Sequence, residues 1–296
     1  MQTDTQSVSS HKKPFLPELS SQEIKRLQVD TADKFDLPAY FSDRLNIGGQ
    51  APEMAIIPAG QYEMGSDQHE FGHSREEYPQ HYSHIQKPFA MGRFVVTAND
   101  FERFVKDTEW FVRPDLLRSS GQEPVINIRM PDAVLYLDWL SEQTGERYRL
   151  PTESEWEYAA RAGTTSAFHF GDDISCKDVH FHAIFPYTEA KENKRWFLPR
   201  CSPMASVLEV GSKPANAWGL HEVHGNVWEF TDTPWRDSHL NNNRDGSNPS
   251  SFISHAIVTK GGSWFDAAIH ARSAARKKRL YDEMDTNLGF RAVREL

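Results

Sequence analysis

Every segment with a clear helical period ends by Gly163, and the rest of the 296-residue chain is short apolar runs broken by Gly, Pro, Asn and Asp. Three capped helices stand in the first half. In VTANDFERFVKDT, Thr97 is placed to cap with Asp100 three residues on, and Phe101, Phe104 and Val105 share a face. In MPDAVLYLDWLSEQTG, Pro131 occupies the first turn, Val134, Leu135, Leu137, Trp139 and Leu140 form the expected buried side, and Gly145 stops the helix. In LPTESEWEYAARAG, Thr152 caps, Glu155 reciprocates and Gly163 terminates. Helices early and strands late predict an α+β architecture rather than alternating α/β.

The candidate strands are VLEVGS, NVWEFTD, HAIVTKGGSW, IHARSAARK and NLGFRAV. Before them, MAIIPAGQYEMGS carries two extended runs around Pro-Ala-Gly and predicts a hairpin at the start of a domain over residues 51–296. Residues 1–50 are polar and read as an N-terminal extension, with a short helix after Ser20 or Ser21 in which Glu23 completes a capping box. No internal repeat is visible, and 38% apolar residues with eight tryptophans suffice for one core at this length.

A net charge of −9 excludes a basic field for phosphate backbones, so no nucleic-acid partner is expected. The basic run Arg276 to Arg279 reads as a solvated edge. No window approaches the roughly 20 apolar residues of a membrane span, and the first residues hold no apolar signal core. No membrane partner and a soluble, cytoplasmic location are expected, or a periplasmic one if a leader was removed. Cys176 and Cys201 allow one bridge or two free thiols, and the oligomeric state is not encoded legibly.

Thirteen histidines invite a metal hypothesis. The close pairs His81/His84 and His180/His182 have no third ligand at metal-site spacing, and His221 and His224 flank Glu222 on a turn. Period-two geometry would put His180 and His182 on one face of a strand.

Six stretches in order together resemble the formylglycine-generating, sulfatase-modifying factor family: IPAGQYEMGS, EEYPQHYSHIQKPFAMGRFVVT, TGERYRLPTESEWEYAARAG, ANAWGLHEVHGNVWEFTD, KGGSW and NLGFRAV. The resemblance runs from about Met54 to Leu296 and implies an elaborated C-type-lectin-like fold with little regular secondary structure. The family includes formylglycine-generating oxidases, C-terminal domains of ergothioneine sulfoxide synthases, a pyoverdine-maturation branch and non-catalytic display domains, so fold alone does not set function.

In the formylglycine makers of that family, two cysteines after the Gly-Gly-Ser-aromatic motif bind copper(I) as thiolates, a pairing that suits a soft ion. Here Asp266 stands where the first would be and the shorter segment lacks the second, so copper is not expected. The resemblance makes Asp266 the best candidate for a general base or a ligand to a harder metal, with Ser263, Trp228, His270 and Arg272 lining a cleft beneath KGGSW. The plainer reading is that Asp266 caps a turn and His270 is a surface residue. Family analogy also implies a structural calcium held by the side chains of Glu222 and Glu229 and the carbonyls of Gly225 and Val227. A second family calcium site is lost where Ile184 replaces an amide and alignment near Ser202 is loose. The insertion PYTEAKENKRWFLPRCSPMAS reads as a surface loop. Two functions follow: an oxidoreductase of altered active site acting on a small molecule or peptide, and a non-catalytic ligand- or protein-binding domain.

Overall fold

A computed structural model of the chain describes residues 13–110, 118–194, 206–240 and 255–296. The strands are β1 (Tyr40–Phe41), β2 (Met54–Ile57), β3 (Gly60–Met64), β4 (His81–Ile85), β5 (Phe89–Gly92), β6 (Tyr148–Arg149), β7 (Trp228–Pro234), β8 (Ala256–Lys260), β9 (Lys277–Leu280), β10 (Leu288–Phe290) and β11 (Val293–Glu295). They form a five-stranded sheet in the order β1-β2-β5-β11-β6, a four-stranded sheet β10-β7-β8-β9, and the pair β3-β4. The last strand, β11, lies inside the first sheet, where Val293 is opposite both Met91 and Arg149, so the end of the chain ties early segments together. The helices are α1 (Ser21–Ala32), α2 (Ala98–Thr108), α3 (Met130–Thr144), α4 (Glu153–Arg161) and the single-turn α5 (Thr188–Lys191).

The capping residues act as their spacing predicts. Ser20, Thr97 and Thr152 each accept from the backbone N–H three residues on, and Glu23, Asp100 and Glu155 reciprocate. Each such cap contributes on the order of 1 kcal/mol. α3 is rotated from the sequence expectation: Leu135 is exposed and Val134 only partly covered, while Tyr136 and Ala133 face the core. Tyr136 takes that place because it stacks among Phe101, Phe104, Trp139 and Phe290.

Three strand expectations are corrected. β2 and β3 are not a hairpin, since β2 pairs with β1 and β5 whereas β3 pairs with β4. The Pro58 corner passes the chain between sheets and is pinned by the Tyr158 hydroxyl, which donates to the Pro58 carbonyl at 2.9 Å. VLEVGS is a loop, because its donors go to scattered acceptors instead of one neighbouring strand: Leu208 N–H bonds Asn226 Oδ1, Val210 N–H the Gln122 carbonyl and Gly211 N–H Glu222 Oε2. IHARSAARK begins as a 3-10 turn, Ala268–Ala271, and becomes strand only at Lys277.

The described part of the N-terminal extension packs onto the domain. Leu16 and Ile24 are buried in the core with Trp156 and Trp218, and Gln28 Nε2 donates to the carbonyls of Ile56 and Trp218 at 2.8 and 3.1 Å. Among the described residues no helix is long and apolar enough to cross a membrane.

Candidate functional site

Strand β8 ends in a glycine doublet that turns the chain sharply. Gly261 and Gly262 have φ of +100° and +74°, and a Cβ on Gly262 would stand 2.7 Å from the His270 carbonyl oxygen. Only glycine accepts both constraints. The turn is fastened to β7 and its approach by Trp264 N–H donating to the Asn226 carbonyl at 3.0 Å, and it closes on itself by Asp266 N–H to the Ser263 carbonyl at 3.1 Å.

This turn delivers the Asp266 carboxylate to a point reached by side chains from β7, from β9 and from the residue before β10. Its Oδ2 accepts from Trp228 Nε1 at 2.8 Å, from Asn287 Nδ2 at 3.2 Å and, very closely, from the Ser263 hydroxyl. Its Oδ1 accepts from Lys277 Nζ at 3.0 Å, and the same ammonium lies 5.3 Å from the centre of the Trp228 ring. Burial alone would raise the carboxyl pKa, but the Ser263 hydrogen bond, the Lys277 charge and the Trp228 indole together hold it below the usual carboxylate range. Asp266 is therefore a standing anion. Ser263 is filled as well, since its oxygen also accepts from Asn287 Nδ2 at 2.9 Å.

Of the residues expected to share this site, Ser263 and Trp228 touch Asp266, and His270 lies across Trp228 with ring centres 6.4 Å apart. The His270 ring is exposed at the surface, yet the packing on its covered side lowers its pKa from the ordinary imidazole value, with Asp266 opposing. Arg272 does not line the site. It is buried, donates to both carboxylate oxygens of Glu77 and to Glu70, and its pKa is raised by those carboxylates against the opposing effect of burial. Sequence reading missed Lys277 and Asn287. The basic run is not a solvated edge: Arg276 pairs with buried Glu153, Lys277 with Asp266, and Arg279 with Glu283 and Asp285. Strand alternation from Lys277 to Arg279 was the available signal.

An aromatic rim stands beside the anion. Phe265 is 62% exposed, Phe185 53% and Ile184 44%, and the His182 ring packs against both phenylalanines. The rim is tied to the turn through His182 N–H to the Asp266 carbonyl and Ala268 N–H to the Phe185 carbonyl. His180 instead turns inward, its Nε2 paired with the Ser206 carbonyl at 2.9 Å.

The turn hangs between two buried ionic anchors. Just before it, Lys260 pairs with Glu157 at 3.0 Å with both side chains fully buried, and Arg161 holds the same carboxylate. Just after it, Arg272 pairs with Glu77. The cations beside Glu157 overcome its burial and pull its pKa down to about 2.

The expected calcium ligands do not fit a cation. Glu229 Oε2 accepts from Trp156 Nε1 and Arg291 Nε, and Oε1 accepts from Arg291 Nη2, all inside the core. A guanidinium thus already neutralises this carboxylate. Glu222 faces away to the backbone N–H groups of Gly211 and Lys213, and the Gly225 turn is tied to the Gly261 and His180 carbonyls. No group of three or more His, Cys, Asp or Glu side chains among the described residues is arranged to hold a metal ion. His224 is committed to the fold: Nδ1 bonds the Ala271 carbonyl at 2.7 Å and Nε2 accepts from His169 N–H. Cys176 is disulfide-bonded, so its sulfur is not a thiolate ligand, while Cys201 and Ser202 lie outside the described residues.

With a glycine-doublet turn, Trp228 of the N-V-W-E-F strand and Asn287 at the head of the N-L-G-F-R-A stretch converging on one carboxylate, the chain belongs to the formylglycine-generating, sulfatase-modifying factor family, whose "Sulfatase-modifying factor enzyme 1-like domain" matches residues 44–296. Its mixed α+β fold is that of a solved member of the family. It is 33% identical over 197 residues to the formylglycine-generating enzyme of Mycobacterium tuberculosis, a match covering 62% of this chain and 61% of that enzyme. It is 26% identical to the inactive C-alpha-formylglycine-generating enzyme 2 of Mus musculus, covering 84% of this chain and 88% of that protein. The solved structure of PvdO from Pseudomonas aeruginosa is similar with a TM-score of 0.72 at 30% identity, covering 83% of this chain and 95% of that one.

Proposed function

We propose that this chain is an oxidoreductase of the formylglycine-generating type with an altered active site, acting on a small molecule or peptide and not producing formylglycine. The observation that carries this reading is the Asp266–Lys277 pair, seated on Trp228 at the turn where the family's copper-binding makers carry thiolates. Asp266 serves best as a fixed charge that orients Ser263, the Trp228 indole and the Lys277 ammonium. The groups a substrate would meet are Lys277, the exposed His270 ring with its lowered pKa, and the Phe265 and Phe185 rim. His270 is then the better proton acceptor, because a carboxylate held below its usual range is a weak base.

The alternative is a non-catalytic binding domain on the same surface, and the similarity to an inactive mammalian relative favours keeping it. A redox-coupled screen, by dioxygen uptake or dye reduction against peptides and small molecules, separates the two. Turnover that disappears in Asp266→Asn and Lys277→Met supports the enzyme. Binding that weakens in Phe265→Ala, with no turnover of any bound compound, supports the domain.

A further inference from the structure

A second place on the molecule has the chemistry of a ligand site. The loop between β3 and β4 and the segment after β7 enclose an open cleft of about 680 Å³ lined by His73, Arg75, Glu76, Tyr78 and Asp237, among others. That volume lies in the range of small-molecule sites. Arg272, bonded to the Gly72 carbonyl and to Ile269, lies between this loop and the Asp266 turn.

His73 is held in one tautomer by a directed chain. Burial opposes ionisation of Glu77, but the Arg272 fork overcomes it and keeps the carboxyl below its usual range, so Glu77 accepts on both oxygens. The Ser66 hydroxyl must then give its proton to Glu77, and its oxygen accepts from His73 Nδ1 at 2.7 Å. A neutral His73 therefore keeps an Nε2 lone pair, which has no protein partner among the described residues. Among the described residues the carboxylates beside it have neutral donors: the Ser74 hydroxyl for Glu76, and Trp235 Nε1 for Asp237 at 2.8 Å. Arg75 is exposed, and its guanidinium has no hydrogen-bond or ion-pair partner among the described residues.

This inventory sorts ligands by charge. Three acceptors, His73 Nε2, Glu76 and Asp237, match the three N–H donors of a primary ammonium, and the exposed Tyr78 ring offers an apolar face. Among the described residues lining the cleft Arg75 is the one cation, and it suits a carboxylate. A simple anion meets two carboxylates against one guanidinium and is disfavoured. We propose that this cleft binds a small molecule carrying both a primary ammonium and a carboxylate, of the amino-acid or short-peptide class, with His73 Nε2 accepting from the ammonium. The site is separate from the Asp266 surface and does not depend on its function.

The test uses the full chain with 15N-labelled histidine and three probes, 4-aminobutyrate, butylamine and butyrate, at concentrations on the order of 10 mM, as millimolar affinity requires. The expected result is that 4-aminobutyrate and butylamine move the His73 ring nitrogen signals and butyrate does not. Arg75→Ala, a change at an exposed side chain, should remove the advantage of 4-aminobutyrate over butylamine, and Glu76→Gln, which leaves the His73 signals in place, should weaken both by about tenfold. Silence of the His73 signals toward all three probes, or a response to butyrate equal to that of butylamine, overturns the proposal. Retained preference for 4-aminobutyrate in Arg75→Ala overturns the role given to the guanidinium.

Discussion

Arg291 and Glu229 form a double hydrogen-bonded ion pair with both side chains fully buried, at 2.9 Å between Nη2 and Oε1 and 3.0 Å between Nε and Oε2. Leaving such a carboxylate without its partner costs about 3–5 kcal/mol. Arg291→Met should therefore lower stability by that order in urea denaturation. A chelator should leave the Tm of the wild-type chain unchanged; a drop reversed by added calcium would show that a cation shares Glu229.

Lys277 is coupled to the Asp266 carboxyl by charge and by a hydrogen bond. Lys277→Met removes both, and Ser263→Ala removes the hydroxyl donor, so each change should raise the Asp266 pKa relative to wild type. An NMR titration of the Asp266 side-chain carboxyl carbon reads this directly. An unmoved midpoint in both variants would mean that solvent screens the pair.

Buried neutral histidines set an acid limit. Burial lowers His169 and His239 to about 4, and pulls His224 down as well. An unfolded chain protonates these rings near pH 6.5 while the folded chain resists, so between about 6.5 and 4 the unfolded state binds more protons and stability falls as pH falls. Each ring adds up to about 1.4 kcal/mol per pH unit in that window. Urea midpoints at pH 7.5, 6 and 5 should decline progressively; a flat profile would contradict the burial of these rings.

Gly225 has φ of +79°, and a Cβ there would stand 2.3 Å from the His180 carbonyl oxygen. Gly121 has φ of +60° with open space around it. Both alanine substitutions incur the left-handed penalty of about 1–2 kcal/mol, and Gly225→Ala adds the clash. Thermal melts should show the Gly225 variant clearly less stable than the Gly121 variant.

Local signals in the sequence carried a good part of the fold. Thr97, Thr152 and Ser20 announce helix starts through their partners three residues on, and the glycine doublet announces the turn. The pairing of β2 with β5 rather than β3 was not legible, because a Pro corner between two extended runs looks alike whether the strands fold back or part company. Asp266, Ser263 and Trp228 were found through motif resemblance, and the structure brings them together. Lys277 was hidden in a run of four cations, where a count of charge suggests water but alternation along an edge strand turns every second side chain inward. Arg272 was misplaced for the complementary reason: its partners Glu70 and Glu77 are some two hundred residues earlier, and no spacing rule reaches that far.

Lys260 and Arg272 bracket the glycine-doublet turn as two clamped posts, each locked to a different glutamate in the interior. A bridge span fixed at both abutments can be rebuilt without disturbing the banks. Residues between the posts are in this way relieved of anchoring the scaffold, so an exchange of the Asp266 carboxylate should alter the chemistry of the surface while the surrounding architecture persists.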